Sequence, residues 1–386
     1  MKEYEDTLYK EINKEMIKVR KYLHQIPEIG FKEFKTSSFI KSKLEEFGYE
    51  VEITAKTGII AFIKGKITGE AIAFRADMDG LMINEDLEVH FSSTHPGKMH
   101  ACGHDGHMSI LIGLAMFLSR LNKINKDILL IFQPAEEGPG GANIIVNEGI
   151  LDKYNVKYIF GLHISPEIKE GKIGIASGPI MAQSGEFDIF INSKNSHGAM
   201  PHLGIDGIYI SSLLIQSYQS IISRNISPNE TGVLTIGKIS GGSAINIIAD
   251  KIKLEGTIRA FNLDIYNKIK SRIYEINKGI ELMYDINIDT QIRDFYPPVI
   301  NDKYLYNIVK KSLSSKEIME IEPLMISEDF SYYQKKVAGF FFLLGSKNEI
   351  KGYNYPLHSS KFNFDDKILL TGLRTYMKIL KILEII

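Results

Sequence analysis

The stretch Asp127-Ile128-Leu129-Leu130-Ile131-Phe132-Gln133-Pro134-Ala135-Glu136-Glu137-Gly138 joins two opposed chemistries. From Asp127 to Phe132 the chain is an almost unbroken apolar run, the pattern of a strand buried on both faces. Two adjacent carboxylates follow, enclosed by Pro134 and the turn Gly138-Pro139-Gly140-Gly141. Carboxylates at the carboxyl end of a sheet strand stand where α/β proteins place their ligands. Neighbours in an extended segment point in opposite directions, so Glu136 and Glu137 are expected to do different jobs.

Towards the N-terminus, His107–Leu121 has a helical pattern. Short β-type runs are expected at Tyr49–Thr54, Gly58–Ile63 and Ala71–Arg75. A helix over about 36–47 is expected, with Thr36 or Ser37 as N-cap and Gly48 as stop. Tyr4, Leu8, Ile12, Ile17, Val19 and Leu23 recur near helical spacing and predict an opening helix over 3–24. Strands alternating with helices imply an α/β domain, a mixed sheet covered by helices. Near residue 184 the style changes. Phe187, Ile189 and Ile191 alternate with polar residues, as in a half-exposed antiparallel strand. A helix (about 205–223), strands at Gly232–Ile239 and Lys251–Phe261, a helix (about 264–283) and a strand at Asp285–Ile292 follow. That β-α-β-β-α-β order is the ferredoxin-like α+β pattern. The expectation is a discontinuous catalytic domain, 1–183 with 293–386, interrupted by a smaller domain, 184–292.

A chain of 386 residues with 44% hydrophobic content suits two domains better than one core. Charges nearly cancel, to −1, which gives no electrostatic reason to expect nucleic acid or a membrane surface. No apolar run approaches the roughly 20 residues that span a bilayer. The polar, mixed-charge opening residues have no secretory h-region, and a single cysteine permits no intrachain disulfide, so a cytoplasmic setting is expected.

His100-Ala101-Cys102-Gly103-His104-Asp105-Gly106-His107 is dense in metal-capable side chains for a chain with 10 His and 1 Cys. Gly161-Leu162-His163, after an apolar run, and Tyr355-Pro356-Leu357-His358 add two more imidazoles. Thiolate, imidazole and carboxylate together suit divalent Zn, Mn, Co or Ni. An amide is a poor electrophile and water a poor nucleophile; bound dications correct both, and a nearby carboxylate can carry the proton. Taken singly, each piece has a plainer explanation: a lone histidine is usually structural, paired glutamates usually form a solvated face, and Cys102 could be a small buried hydrophobe. Their conjunction points to a metal-dependent hydrolase.

The same islands resemble the aminoacylase/carboxypeptidase-type metallohydrolases, in the subgroup of N-acyl-amino-acid amidohydrolases, hippurate hydrolases, N-acetyldiaminopimelate deacetylases and auxin-conjugate hydrolases. The likeness runs from Arg20-Lys21-Tyr22-Leu23-His24-Gln25-Ile26-Pro27-Glu28, with Glu33 and Thr36, through Phe74-Arg75-Ala76-Asp77-Met78-Asp79-Gly80 and the two motifs above. It continues through Ser196–His202, Gly241–Asn246, Ser327–Ser331 and the Pro356-Leu357-His358 segment. The resemblance implies two divalent cations held by Cys102, His104, Glu137, His163 and His358, with Cys102 able to bridge them. It implies Glu136 as general acid/base and Asp77 as an orienting carboxylate. His197 would bind the substrate carbonyl oxygen, often across a subunit interface, and Asn246 and Arg259 would hold the substrate carboxylate. It also implies that the inserted domain is a lid and dimerisation domain, that the protein is a homodimer or higher homo-oligomer, and that the substrate is a small N-acyl amino acid.

Met82 and Ala249 stand where the family usually has proline, and Ser359 where a second histidine is common. Those departures bear on substrate identity more than on chemistry. Three rivals follow: a metallo-dipeptidase or aminopeptidase, a non-catalytic metal-binding protein on the same fold, and a cysteine hydrolase using Cys102 with His104 or His107. The retained Glu136 argues against the second, and the extra glutamate and histidines, idle in a thiol mechanism, against the third.

Overall fold

The computed structural model describes residues 2–121 and 123–386, with the backbone alone for residues 2–6 and 68, so Tyr4's side chain lies outside the described set. The chain divides into two compact units. One comprises Met1–Gly178, Ile300–Glu322 and Asp329–Ile386; the other comprises Pro179–Val299 and Pro323–Glu328.

The first unit carries an eight-stranded mixed sheet. Its order is Val51–Thr54, Gly58–Ile63, Lys126–Gln133, Ile67–Asp77, Val156–Lys169, Ala338–Lys347, Ile173–Ile175, Ile318–Glu320. Lys126–Gln133, Ile67–Asp77, Val156–Lys169 and Ala338–Lys347 run parallel to one another. Gly58–Ile63 pairs antiparallel with Lys126–Gln133. The apolar run is therefore paired on both sides, and every residue from Asp127 to Gln133 is buried. Helices Lys2–Gln25, His104–Ser119 and Lys367–Ile382 share one core with the sheet, in which Ile12, Met16, Leu114, Phe74, Phe160 and Tyr376 are all buried. Among the described residues no helix is long and apolar enough to cross a membrane.

Parallel strands put their carboxyl ends on one edge. Asp77 ends its strand opposite Gln133, and Glu136-Glu137 follow Gln133 directly. Arg75 pairs with Gly161 on the next strand, two residues before His163. Sheet register alone thus gathers Asp77, the glutamate pair and His163.

Two local expectations fail for physical reasons. The second helix runs Phe34–Glu46, not from a Thr36 or Ser37 cap. Its first-turn N–H groups, on Lys35 and Thr36, donate instead to the Glu28 carboxylate at 2.9 Å, a tertiary cap from eight residues upstream. The helix expected from His107 begins at His104, because Gly103 takes a left-handed φ of +85° and turns the chain sharply into it.

Beneath this helix start lies a buried ionic cluster. Asp105 accepts hydrogen bonds from Arg20 at 3.3 Å and from His24 at 2.9 Å. Arg20 also pairs with Asp366, and His24 lies 3.4 Å from Glu85. Burial alone would lower the His24 pKa, but Asp105 and Glu85 raise it to about 9. A raised histidine adds stability that is complete below about pH 6.5 and is lost as the pH climbs through 9. Denaturant unfolding should therefore show a loss on the order of 3 kcal/mol across that window, absent in His24→Gln. Parallel pH curves for the two proteins would exclude this role for His24.

The second unit has a four-stranded antiparallel sheet in the order Asn287–Asp294, Gln183–Asn192, Lys251–Ala260, Gly232–Gly241. Helices Gly207–Ser220 and Leu263–Tyr284 cover one face, burying Phe187, Ile189 and Leu254 with Leu214, Tyr218 and Ile273. Asp206 and Asn262 cap the helices through their side chains.

Candidate metal centre

The first unit brings the histidine islands and the glutamate pair together. Cys102 Sγ lies 3.4 Å from His163 Nε2 and 3.3 Å from His358 Nε2. His358 Nε2 lies 3.1 Å from Glu137 Oε1. Ligand-capable atoms of Cys102, His104 and His163 lie within 4.8 Å of one another, as do those of Cys102, Glu137 and His358, and those of His104, Glu136 and Glu137. The first two sets share one sulfur.

The rings are oriented from behind. His104 Nδ1 donates to the Asp79 carbonyl at 2.8 Å and His163 Nδ1 to the Ile164 carbonyl at 2.7 Å. A carbonyl only accepts, so Nδ1 of each ring carries a proton and each Nε2 is the nitrogen left for the centre. His104 Nε2 is buried and has no hydrogen-bond partner among the described residues.

Histidine density in the 100–107 segment overstates the ligand set. His107 Nδ1 donates to Asp77 Oδ1 at 2.6 Å, and its Nε2 accepts the Ile164 N–H at 2.8 Å. Both nitrogens are committed, so His107 braces the strand that carries His163. His100 is buried, and neither ring nitrogen meets the hydrogen-bond geometry with a partner among the described residues. Asp77 is fully buried; its Oδ2 accepts from Arg75 at 2.8 Å and lies 3.8 Å from His104 Nε2.

Glu136 and Glu137 are not extended neighbours, as the strand-alternation reading required. They occupy a turn entered through Ala135 at φ +55°. Their backbone N–H groups donate to the two oxygens of Asp79, each at 3.0 Å. The turn, not strand alternation, sets the two side chains, and it brings a carboxylate oxygen of each within 4.8 Å of the other and of a His104 ring nitrogen. Asp79 and Glu33, which holds the Ala135 N–H at 2.9 Å, are parts of the site that sequence reasoning quoted but gave no role.

The electrostatics are those of a buried acidic pocket. Burial pushes the Cys102 thiol well up, and Glu137 and Glu136 push it further. Burial would lower His104, but Asp77, then Asp79 and Glu137, raise it to about 10. Burial, reinforced by His107, lowers His163 to about 3. Burial would raise Asp77, yet His104, His107 and Arg75 hold it well below the usual carboxylate range. A thiol, imidazoles with Nε2 aimed inward and carboxylates at this density fit divalent transition cations, which invert these shifts by replacing protons.

His197, Asn246 and Arg259 lie in the second unit. His197 is exposed, bridges Ile247 and has its Nδ1 accepting the Ala199 N–H at 3.1 Å. The Gly198 N–H donates to the Asn246 carbonyl at 2.7 Å, so His197 and Asn246 sit side by side. Arg259 lies on the Lys251–Ala260 strand between Ser184 and Val233.

A family model described as Peptidase family M20/M25/M40 matches residues 73–382. An N-acetyldiaminopimelate deacetylase of Bacillus pumilus is 40% identical over 94% of this chain and 96% of its own. An N-acetyl-L-cysteine deacetylase of Bacillus subtilis is 36% identical over 93% and 86%. Among solved structures, a Bacillus subtilis protein described as a dinuclear metal binding peptidase from the M20 family superposes with a TM-score of 0.84. It is 31% identical, over 98% of this chain and 100% of that one.

Proposed function

The chain belongs to peptidase family M20/M25/M40, and from that premise we propose that it hydrolyses the amide bond of N-acyl amino acids in a metal-dependent reaction. The observation that carries this reading is the shared Cys102 sulfur between two ligand sets, with Glu136 beside the second carboxylate. Cys102, His104, Glu137, His163 and His358 would hold two divalent cations, drawn from Zn, Mn, Co or Ni. When bound, the cations supply Lewis acidity, easing deprotonation of water and polarising the scissile carbonyl. Glu136 takes the proton of the attacking water on its carboxylate and returns it to the departing amine. Asp77 keeps His104 and His107 in place. His197 donates to the carbonyl oxygen, while Asn246 and Arg259 receive the substrate carboxylate. Both named Bacillus relatives are deacetylases, so acetyl is the first acyl group to try.

The second unit serves, in this proposal, as lid and as the surface for a homodimer or larger assembly. One of its two edge strands, Gly232–Gly241, pairs with a strand on one side only among the described residues and exposes Ile239, which supports pairing with another chain. A reducing, cytoplasmic setting would keep Cys102 as a thiol.

The test is hydrolysis of N-acetyl and N-benzoyl amino acids beside unacylated dipeptides, using metal-stripped protein with each cation added back. Metal-restored cleavage of the acyl amino acids, with dipeptides cleaved poorly, is the expected result. Preference for dipeptides would move the protein to the peptidases. No chelator-sensitive cleavage of any member would leave a metal-binding protein without catalysis.

A further inference from the structure

The reaction just proposed needs Glu136 and Glu137 held in fixed positions, and neither lies on a strand or helix. Backbone N–H groups in a buried turn must find acceptors outside it. Here three consecutive N–H groups, those of Ala135, Glu136 and Glu137, all donate to carboxylates of just two residues. Ala135 donates to Glu33 Oε1 at 2.9 Å; Glu136 and Glu137 donate to Asp79 Oδ1 and Oδ2 at 3.0 Å each. Both acceptors are buried, Glu33 completely and Asp79 at 2% exposure. Each is itself anchored. Thr57 Oγ1 donates to the second Glu33 oxygen at 2.6 Å, and the Asp79 carbonyl accepts from His104 Nδ1 at 2.8 Å. Asp79 therefore ties together a candidate base, the candidate ligand beside it, and a third group that faces both.

We propose that Glu33 and Asp79 act as a carboxylate clamp, positioning residues that set the direction of Glu136 and Glu137 for the reaction proposed above, on which this role rests.

The chemistry distinguishes a clamp from ordinary packing. Both oxygens of Asp79 accept from the turn. An asparagine has one acceptor oxygen and must set its NH2 against the other N–H, so Asp79→Asn loses one bond and creates a donor–donor conflict. Glu33 uses only one oxygen on the turn, and Thr57 can rotate its hydroxyl to accept instead of donate. Glu33→Gln should keep the Ala135 bond, and Glu33→Ala should lose it. Burial, opposed by the Thr57 bond, raises the Glu33 carboxyl to about 7, so an uncharged side chain suits that place.

The experiment measures kcat and KM with N-acetyl amino acids on cobalt-loaded enzyme, together with Co2+ affinity of stripped protein by calorimetry. Circular dichroism and thermal melting check that each variant is folded. Asp79→Asn should lower kcat on the order of tenfold to a hundredfold, with KM within about threefold, and weaken Co2+ binding about tenfold. Glu33→Ala should lower kcat likewise, and Glu33→Gln should recover most of the loss. A folded Asp79→Asn with kcat and Co2+ affinity within twofold of wild type would overturn the clamp, as would equal losses in Glu33→Ala and Glu33→Gln. If Asp79→Asn does not fold, the Glu33 pair decides. A wild-type enzyme that hydrolyses no acyl amino acid would refute the proposed function instead, and the clamp would then stand or fall on Co2+ affinity alone.

Discussion

Glu136→Gln should reduce kcat on the order of a thousandfold while leaving metal content unchanged. The two halves of that expectation come from different atoms. Glu136 belongs to the site's acidic cluster with His104 and Glu137, but the two sets that share Cys102 are complete without it. Glutamine has the same length and can occupy the same place in the turn, where the backbone N–H stays bound to Asp79. What it cannot do is accept a proton from water and pass it to an amine. KM should therefore change little beside kcat. Loss of metal together with activity would make Glu136 a ligand, and near-normal turnover would remove it from proton transfer altogether.

That expectation shows where sequence reading reached and where it stopped. The buried strand before the glutamate pair was legible because both-sided burial writes itself as an unbroken apolar run. The acidic pair at its carboxyl end was legible for the same reason. Their mutual geometry was not. Strand alternation was the wrong rule, because Ala135 turns the chain at positive φ and the acceptors that stabilise that turn come from residues 33 and 79. The Thr36 cap failed in the same way: a carboxylate at Glu28 replaced a local side chain. Motif density likewise could not separate His104 from His107. The difference lies in whether a distant N–H or carboxylate has already taken the second ring nitrogen. Local periodicity survives in sequence, whereas hydrogen bonds spanning tens of residues leave no local trace there.

The larger expected effect is at Cys102. Its sulfur belongs to both ligand sets, whereas His163 and His358 each belong to one. Cys102→Ala should therefore cost both cations and all measurable turnover, and His358→Ala should cost chiefly one. The buried thiol, held up by burial and by Glu137 and Glu136, must lose its proton when a cation binds. Binding to wild type should release protons, with apparent affinity rising with pH, and this release should shrink in Cys102→Ala. Retention of two cations by Cys102→Ala would show that the thiol is a bystander.

The decisive measurement is a Co2+ titration of metal-stripped wild-type protein, followed by its thiolate-to-cobalt absorption band and by bound metal per chain. A shared sulfur requires the band to grow through the first and the second equivalent and then stop, and to be missing in Cys102→Ala. Saturation at a single equivalent, or a filled site with no sulfur band, would contradict a paired-cation centre built around Cys102.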